Sequence, residues 1–214
     1  MRPIFVKTLV APLTYCLFAA AAYAVPVSVS TPVNTAIPDN NTTGLSSSAT
    51  VASTGVLNAI NVSVALTHTW VGDLTVTLSH GANTLILMKK PGATTPTGAG
   101  DSTNLDAGSP LNFSDAGLAT EFTIGIGCGS NDVVGVTSGC MNLSFIPNMP
   151  LAVFLGGEAS GAWVLKVTDT AALDLGTFAN WTLNLDVEPR NSVPVPATLA
   201  LLGIGAAGLL RRRS

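Results

Sequence analysis

Alternation of apolar and polar residues is the strongest signal in the chain. Ile60, Val62, Val64 and Leu66 occupy every second position, and Leu74, Val76 and Leu78 repeat the pattern. That is the period of strands with one buried face. Between the two runs, His68-Thr69-Trp70-Val71-Gly72-Asp73 reads as a corner, where a glycine permits positive φ and an aspartate puts a carboxylate at the rim. The period returns at Trp163, Leu165 and Val167, and again at Trp181, Leu183, Leu185 and Val187, with 169–177 as the connection. Ala49 to Ala52 is a short strand leading to a turn at Gly55, and Gly81-Ala82-Asn83 is a hairpin connection into the strand Thr84 to Met88. Lys89-Lys90-Pro91-Gly92 ends that strand. No segment between the termini carries a helical period of useful length. Short strands separated by turns predict an all-β protein built as an antiparallel β-sandwich.

Other segments lack this regularity. Val25 to Asn34 reads as an extended leader rich in Ser, Thr, Pro and Val, and Ile37-Pro38-Asp39-Asn40 opens a turn. From Gly92 to Gly117 the chain is a long loop with Leu105, Leu111 and Phe113 as anchors, and it carries Asp101, Asp106 and Asp115. Loops of that length in compact domains are functional or disordered. Phe122 to Ile126, Val133 to Val136 and Met141 to Ile146 form an irregular β insertion, spanning about 124–147, which Pro147 and Pro150 break off.

Both termini read as addresses. Arg2 and Lys7 precede an apolar run from Leu9 to Ala22, and Ala22-Tyr23-Ala24 has the small-x-small form of a signal-peptidase site. Residues 1–24 are therefore expected to be a signal peptide cut after Ala24. Tyr15 before Cys16 is not the small residue that a lipoprotein site requires. At the other end, Ala197 to Leu210 is uncharged and is followed by Arg211, Arg212 and Arg213. It is short for a permanent span, which needs about 20 apolar residues. The arginines would stay cytoplasmic and leave the preceding chain outside. Val193-Pro194-Val195-Pro196, then this apolar stretch, then the arginine cluster resembles the PEP-CTERM sorting signal of Gram-negative bacteria. Val195 stands where that family usually has Glu. The resemblance implies signal peptidase and an exosortase-type enzyme as processing partners, attachment to the membrane through a C-terminal helix, and retention at the cell surface or in the extracellular matrix. A plain C-terminal membrane anchor is the alternative.

Setting the termini aside sharpens the charge. Arg2, Lys7 and the three C-terminal arginines lie outside 25–192, which leaves Lys89, Lys90, Lys166 and Arg190 against all 12 acidic residues, a formal net charge of −8. Nucleic acid is excluded as a partner, because phosphate binding needs clustered Lys and Arg. Nine of the 12 acids are Asp, mostly in Gly-, Asn- and Ser-rich segments. Such segments supply oxygen ligands to calcium, or simply solvate loops. Cys128 and Cys140, the two cysteines left after signal removal, are expected to form a disulfide in an exported chain, contributing roughly 3 kcal/mol in the chain-entropy model.

Candidate chemistry is sparse. His68 and His80 are the two histidines, and neither Gly-x-Ser-x-Gly nor His-Glu-x-x-His occurs. His68 reads as a hydrogen-bonded corner residue. Glu121 and Glu158 would serve a glycosidase only if they faced one cleft. Trp70, Trp163 and Trp181 read as core residues more readily than as a carbohydrate platform.

Four segments in order, Ile37-Pro38-Asp39-Asn40, His68 to Leu74, Gly156 to Thr170 and Gly176 to Leu183, resemble the P domain (Homo B domain) that follows the catalytic domain of kexin- and furin-like proprotein convertases and many bacterial subtilases. The resemblance implies a jelly-roll-like sandwich that stabilises a neighbouring protease and sometimes binds calcium. Only residues 25–34 separate the expected cleavage site from the domain, which leaves no room for a protease upstream, and the Cys128–Cys140 insertion lies outside the family pattern. With Asp-Thr-Ala-Ala-Leu-Asp-Leu-Gly beside a strand end, the resemblance makes Asp73, Asp169 and Asp174 the expected calcium ligands, with Asp101 or Asp39 as additions. The expected organisation is a signal peptide at 1–24, a leader at 25–34, the P-domain-like sandwich at 35–188 and the sorting signal at 189–214. The expected role is a non-enzymatic, surface-retained binding or matrix component whose target is extracellular polysaccharide or a surface protein. The alternatives are an accessory domain that stabilises or targets a protease supplied in trans, and an unrecognised hydrolase.

Overall fold

A computed structural model describes residues 23–140 and 142–190. Ten strands follow one another along the chain: β1 Val25–Ala36, β2 Asn41–Val51, β3 Val56–His68, β4 Leu74–His80, β5 Asn83–Lys89, β6 Leu111–Phe113, β7 Ala119–Thr120, β8 Ser144–Ile146, β9 Gly161–Asp169 and β10 Gly176–Glu188. They form a six-stranded sheet in the order β1-β10-β3-β6-β8-β7 and a four-stranded sheet in the order β2-β9-β4-β5. The protein is all-β, as its alternation predicts. The C-terminal apolar stretch, the sorting motif and the expected signal peptide up to residue 22 lie outside the described residues; Ala24 is exposed, immediately before β1.

Each strong alternation becomes a strand whose apolar parity faces the core. Trp163, Leu165 and Val167 on β9 and Trp181 and Leu183 on β10 have no exposed surface, and neither do Leu74, Val76 and Leu78 on β4. Phe113 and Phe145 close the insertion side of the same core. Burial of a side chain of this size contributes roughly 1.5–3 kcal/mol.

The strand pairs that look continuous in sequence part company in space. β3 and β10 pair with each other in the larger sheet, with Trp181 opposite Val64, while β4 and β9 pair in the smaller, with Leu78 opposite Leu165. The corner 69–73 and the loop 170–175 are thus both crossings between sheets, and they lie at the same end, where Gly176 pairs with His68 and Leu74 with Asp169. We call this end the crossover pole. The opposite, terminal pole holds the start of β1 and the end of β10, where Val25 pairs with Val187. The 13-residue β10 separates the poles by about 40 Å at the usual rise per residue.

Three expectations change. The supposed leader is the edge strand β1, and its pairing runs through Pro26 opposite Asp186 and Pro32 opposite Asn180. An edge strand tolerates proline where its N–H would face solvent. The insertion holds little β structure: β8 is its only strand among the described residues, and Gly125, Gly127, Gly135 and Gly139 all have positive φ. The sandwich is also not wholly antiparallel, because β8 runs parallel to both β6 and β7. A chain returning to the sheet after a long insertion is free to enter it in either direction.

Candidate functional site

The crossover pole gathers five aspartates by folding four segments onto one end. His68 closes β3, Trp70 is extended, and Val71–Asp73 forms one short 3-10 turn that feeds β4. The long loop is laced to this corner. His68 and Leu105 exchange backbone hydrogen bonds, the Val71 N–H donates to the Thr103 carbonyl at 2.9 Å, and the Gly72 N–H donates to the Asp101 carbonyl at 2.9 Å. The indole N–H of Trp70 donates to the Ala99 carbonyl at 2.7 Å. Gly72 serves close approach rather than positive φ, since a Cβ there would stand 2.4 Å from the Ala99 oxygen.

His68 is buried, with Nε2 3.2 Å from Asp169 Oδ2 and Nδ1 2.8 Å from the Trp70 carbonyl and 3.1 Å from its N–H. Both ring nitrogens are therefore engaged by the corner and by Asp169, which is the hydrogen-bonded role expected of this residue. Asp169 has no exposed surface, and its Oδ1 accepts the Ala171 N–H at 3.2 Å. Asp73 is only 3% exposed. Its carboxyl is pushed up to about 6, first by burial and then by the carboxylates of Asp169 and Asp174, with His68 and Lys90 pulling the other way. Among the described residues no hydrogen bond relieves it.

The remaining expected ligands stand nearby with oxygens already in use. Asp174 Oδ1 accepts the Thr69 hydroxyl at 2.8 Å, and Asp39 Oδ2 accepts the Leu173 N–H at 3.3 Å. Asp101 Oδ1 accepts both the N–H and the hydroxyl of Thr103. Asp73, Asp169 and Asp174 share one electrostatic neighbourhood, while Asp101 and Asp39 brace loops around it. Among the described residues no three His, Cys, Asp or Glu side chains converge on a point that would hold a metal ion. The five do not form a closed cage; the feature that suits a cation is Asp73, a buried carboxylate without a hydrogen-bond donor, facing two further carboxylates.

Glu121 and Glu158 do not face one cleft. Glu121 is buried at the crossover pole, accepting the Lys89 N–H at 3.2 Å and the Asn148 side-chain amide at 2.7 Å, and burial raises its pKa. Glu158 lies at the terminal pole, at the far end of β5 from Lys89.

The arrangement around Glu158 is one that sequence reasoning missed. Its carboxylate accepts the Gly55 N–H at 2.7 Å and pairs with Arg190 at 3.0 Å, contacts that lower its pKa. His80 stacks on Trp163 with ring centroids 3.9 Å apart, and its Nε2 lies 2.8 Å from the Glu158 carbonyl. Gly55 and Glu158 are 103 positions apart, so no local motif announces the contact. Trp163 and Trp181 are core residues, while Trp70 is half-buried at the corner. Cys128 and Cys140 are bonded, beside a shallow cavity of about 210 Å³ lined by Ile126, Val134 and Phe145.

Two packed sheets with paired crossings at one pole, and the start of β1 and end of β10 at the other, define an all-β two-sheet module. The family model of the proprotein convertase P-domain matches residues 138–185, and that of the PEP-CTERM protein-sorting motif matches residues 192–214. Both resemblances drawn from the motifs are thereby borne out, and the second match marks the chain for export and surface sorting through an exosortase-type system. No curated protein matches the chain in sequence. Among solved structures, the serine protease of Aeromonas sobria is similar at 18% identity and a TM-score of 0.47, and its complex with the chaperone ORF2 at 18% and 0.48. These alignments cover 77% and 78% of this chain and 27% of each neighbour, so the chain spans about a quarter of their length.

Proposed function

We propose that this protein is an exported, surface-anchored P-domain protein without catalytic activity, acting as a binding or structural component of the bacterial envelope or extracellular matrix. The observation that carries the reading is the placement of the first and last strands. β1 begins and β10 ends side by side at the terminal pole, and the sorting motif follows within a few residues. Anchoring there leaves the crossover pole, with its acidic loops, facing away from the membrane. The jelly-roll-like class implied by the family resemblance belongs to the same reading.

The engagement of the one histidine at the crossover pole supports binding over turnover. His68 has both nitrogens occupied, and a general base must reach the proton it removes. Calcium is part of the proposal, centred on Asp73 and drawing on the second oxygen of Asp174 and the lone pairs that Asp169 does not use toward His68 and Ala171; bound there, it would neutralise a cluster that otherwise repels itself.

Deleting Val193 to Ser214 should release the protein into the medium; unchanged retention would place the anchor elsewhere. The purified protein should turn over neither protein nor glycan substrates. Turnover lost on substitution of His68 or a single carboxylate would replace this reading with an enzymatic one, and a protease stabilised on mixing would replace it with an accessory role. Calcium should raise the melting temperature above that in chelator for wild type but not for Asp73→Asn; equal melting in wild type would remove calcium.

A further inference from the structure

The crossover pole carries two features that the acidic cluster does not explain, and they complement one another. The first is an apolar knob. Leu173 is 90% exposed and Leu175 64% exposed at the tip of the 170–175 crossing. Leu173 also holds φ at 88°, a region that side-chain-bearing residues avoid and that persists where the surroundings impose it. The Leu173 N–H donates to Asp39 in this conformation. A leucine held outward against its backbone preference, with Asp39 and Asp174 beside it, makes an apolar tip with an acidic rim.

The second is a pocket of about 310 Å³ whose apolar walls are Ala93, Pro96 and Phe122 and whose rim is Lys89 and Lys90. Phe122 is 39% exposed. These lysines are two of the four cations of the domain. Among the described residues neither lies within ion-pair distance of a carboxylate, since the two pairs present are His68–Asp169 and Arg190–Glu158. The one carboxylate in the pocket wall, Glu121, is buried and held by the Lys89 N–H and Asn148. The pocket stands at the same pole as the knob: the Lys90 N–H donates to the Leu74 carbonyl, and Leu74 pairs with Asp169, where the crossing begins.

We infer that the crossover pole is a self-association surface whose partner is a second copy of this chain. The acidic leucine knob of one copy seats in the lysine-rimmed pocket of the other. Because knob and pocket share one pole, a two-fold axis satisfies both contacts at once, which is the isologous arrangement of a closed dimer. Opposite charges at the rim steer the encounter and set the register, while the leucines supply desolvated apolar area. The dimer would be joined pole to pole, with the start of β1 and the end of β10 of each copy at the poles away from the contact. Its use as a link between anchored copies rests on the surface-retention reading above; the pairing itself does not.

The test is sedimentation equilibrium of the purified full chain in mild detergent over a concentration series. Wild type should show a concentration-dependent dimer that weakens as salt rises. Asp174→Lys and Lys89→Glu should each weaken dimerisation by about tenfold or more, and an equimolar mixture of the two, or the doubly exchanged chain, should recover it. Leu173→Gly relieves the backbone and removes the side chain, so it should keep or raise the melting temperature while weakening the dimer, a result a folding defect does not give. A wild type that is monomeric throughout, a charge exchange that does not restore pairing, or a Leu173→Gly chain that pairs like wild type would each overturn the inference. None of these outcomes bears on retention, which the tail deletion reads separately.

Discussion

The two poles use carboxylates in opposite ways. At the terminal pole Glu158 is half-exposed and saturated: it accepts the Gly55 N–H and hydrogen bonds from Ser160, and it faces Arg190. Its pKa is lowered, because every contact favours the charged form. At the crossover pole Asp73 is buried, accepts nothing, and looks at two more carboxylates, so its pKa is raised to about 6. A charge that pins loops together is structural. A largely buried carboxylate with no hydrogen-bond donor is a cost that the fold carries. The contrast separates a pole whose central carboxylate lacks a partner among the described residues from one closed by a paired carboxylate.

The contrast breaks most severely at His68. Replacing it by Ala leaves Asp169 buried without its partner, and removing one member of such a pair typically costs about 3–5 kcal/mol. At about 2–4 °C per kcal/mol for a domain of this size, the melting temperature should fall by about 10 °C. Calorimetry of His68→Ala checks this, and a loss of only a degree or two would show that Asp169 is satisfied by Ala171 alone. Gly176→Ala comes next. A Cβ there would lie 2.2 Å from the Thr67 carbonyl oxygen, a backbone collision that costs about 2 kcal/mol to relax. Hydrogen exchange should show the loss confined to the crossover pole.

A smaller change with an informative sign belongs to Asp73→Asn. The folded pKa lies above the ordinary 3.8, so the native state holds its proton where the unfolded chain has lost it. Stability from this group is therefore present below about pH 4 and lost as pH rises through about 6. In chelator at pH 7 the amide should gain about 1 kcal/mol, discounted for partial solvent screening, and should flatten the slope between pH 4 and 6. Urea titrations of both chains across that window decide it. A destabilised amide would mean that Asp73 is relieved by a contact its surroundings do not display.

The strands that alternate cleanly were legible. β3, β4, β9 and β10 bury one parity of apolar residues each, and no other local pattern competes. β1 was not, because Pro26, Ser28, Ser30 and Pro32 occupy its outward parity and give it the composition of a linker; what makes it a strand is a neighbour, β10, about 150 residues away. β2 was seen only at its apolar end for the same reason. Which strands pair was also hidden: the corner after His68 and the loop after Asp169 look like hairpin connections, and only the packing of two sheets turns them into crossings. That both crossings meet at one pole explains why Asp73 and Asp169, drawn together by motif resemblance, lie in one electrostatic neighbourhood. Asp101 and Asp39 were read by residue type, and each spends one oxygen on a neighbouring loop, on Thr103 and on Leu173 respectively. The knob escaped notice because an exposed leucine is ordinary in sequence, and only its φ marks it.

The smallest expected effect tests the terminal pole. Glu158→Gln keeps an oxygen for the Gly55 N–H while giving up the charge facing Arg190, an exposed pair of the kind that contributes little. The melting temperature at pH 7 should move by no more than about 2 °C. The pH dependence should nonetheless run opposite to that of Asp73. A folded pKa below the ordinary 4.5 means stability present above that value and lost as pH falls through the depressed one. Wild type should therefore lose more stability than Glu158→Gln on acidification below about pH 4.5, whereas Asp73 makes it lose stability on the alkaline side of the same point. Melting curves of the two single variants and their double, from pH 3 to 7, should show the two slopes adding, because sites roughly 25 Å apart at the two ends of β4 share no contact. Coupled slopes would mean that the poles communicate through the strands that join them, and the electrostatic division between the two ends would have to be given up.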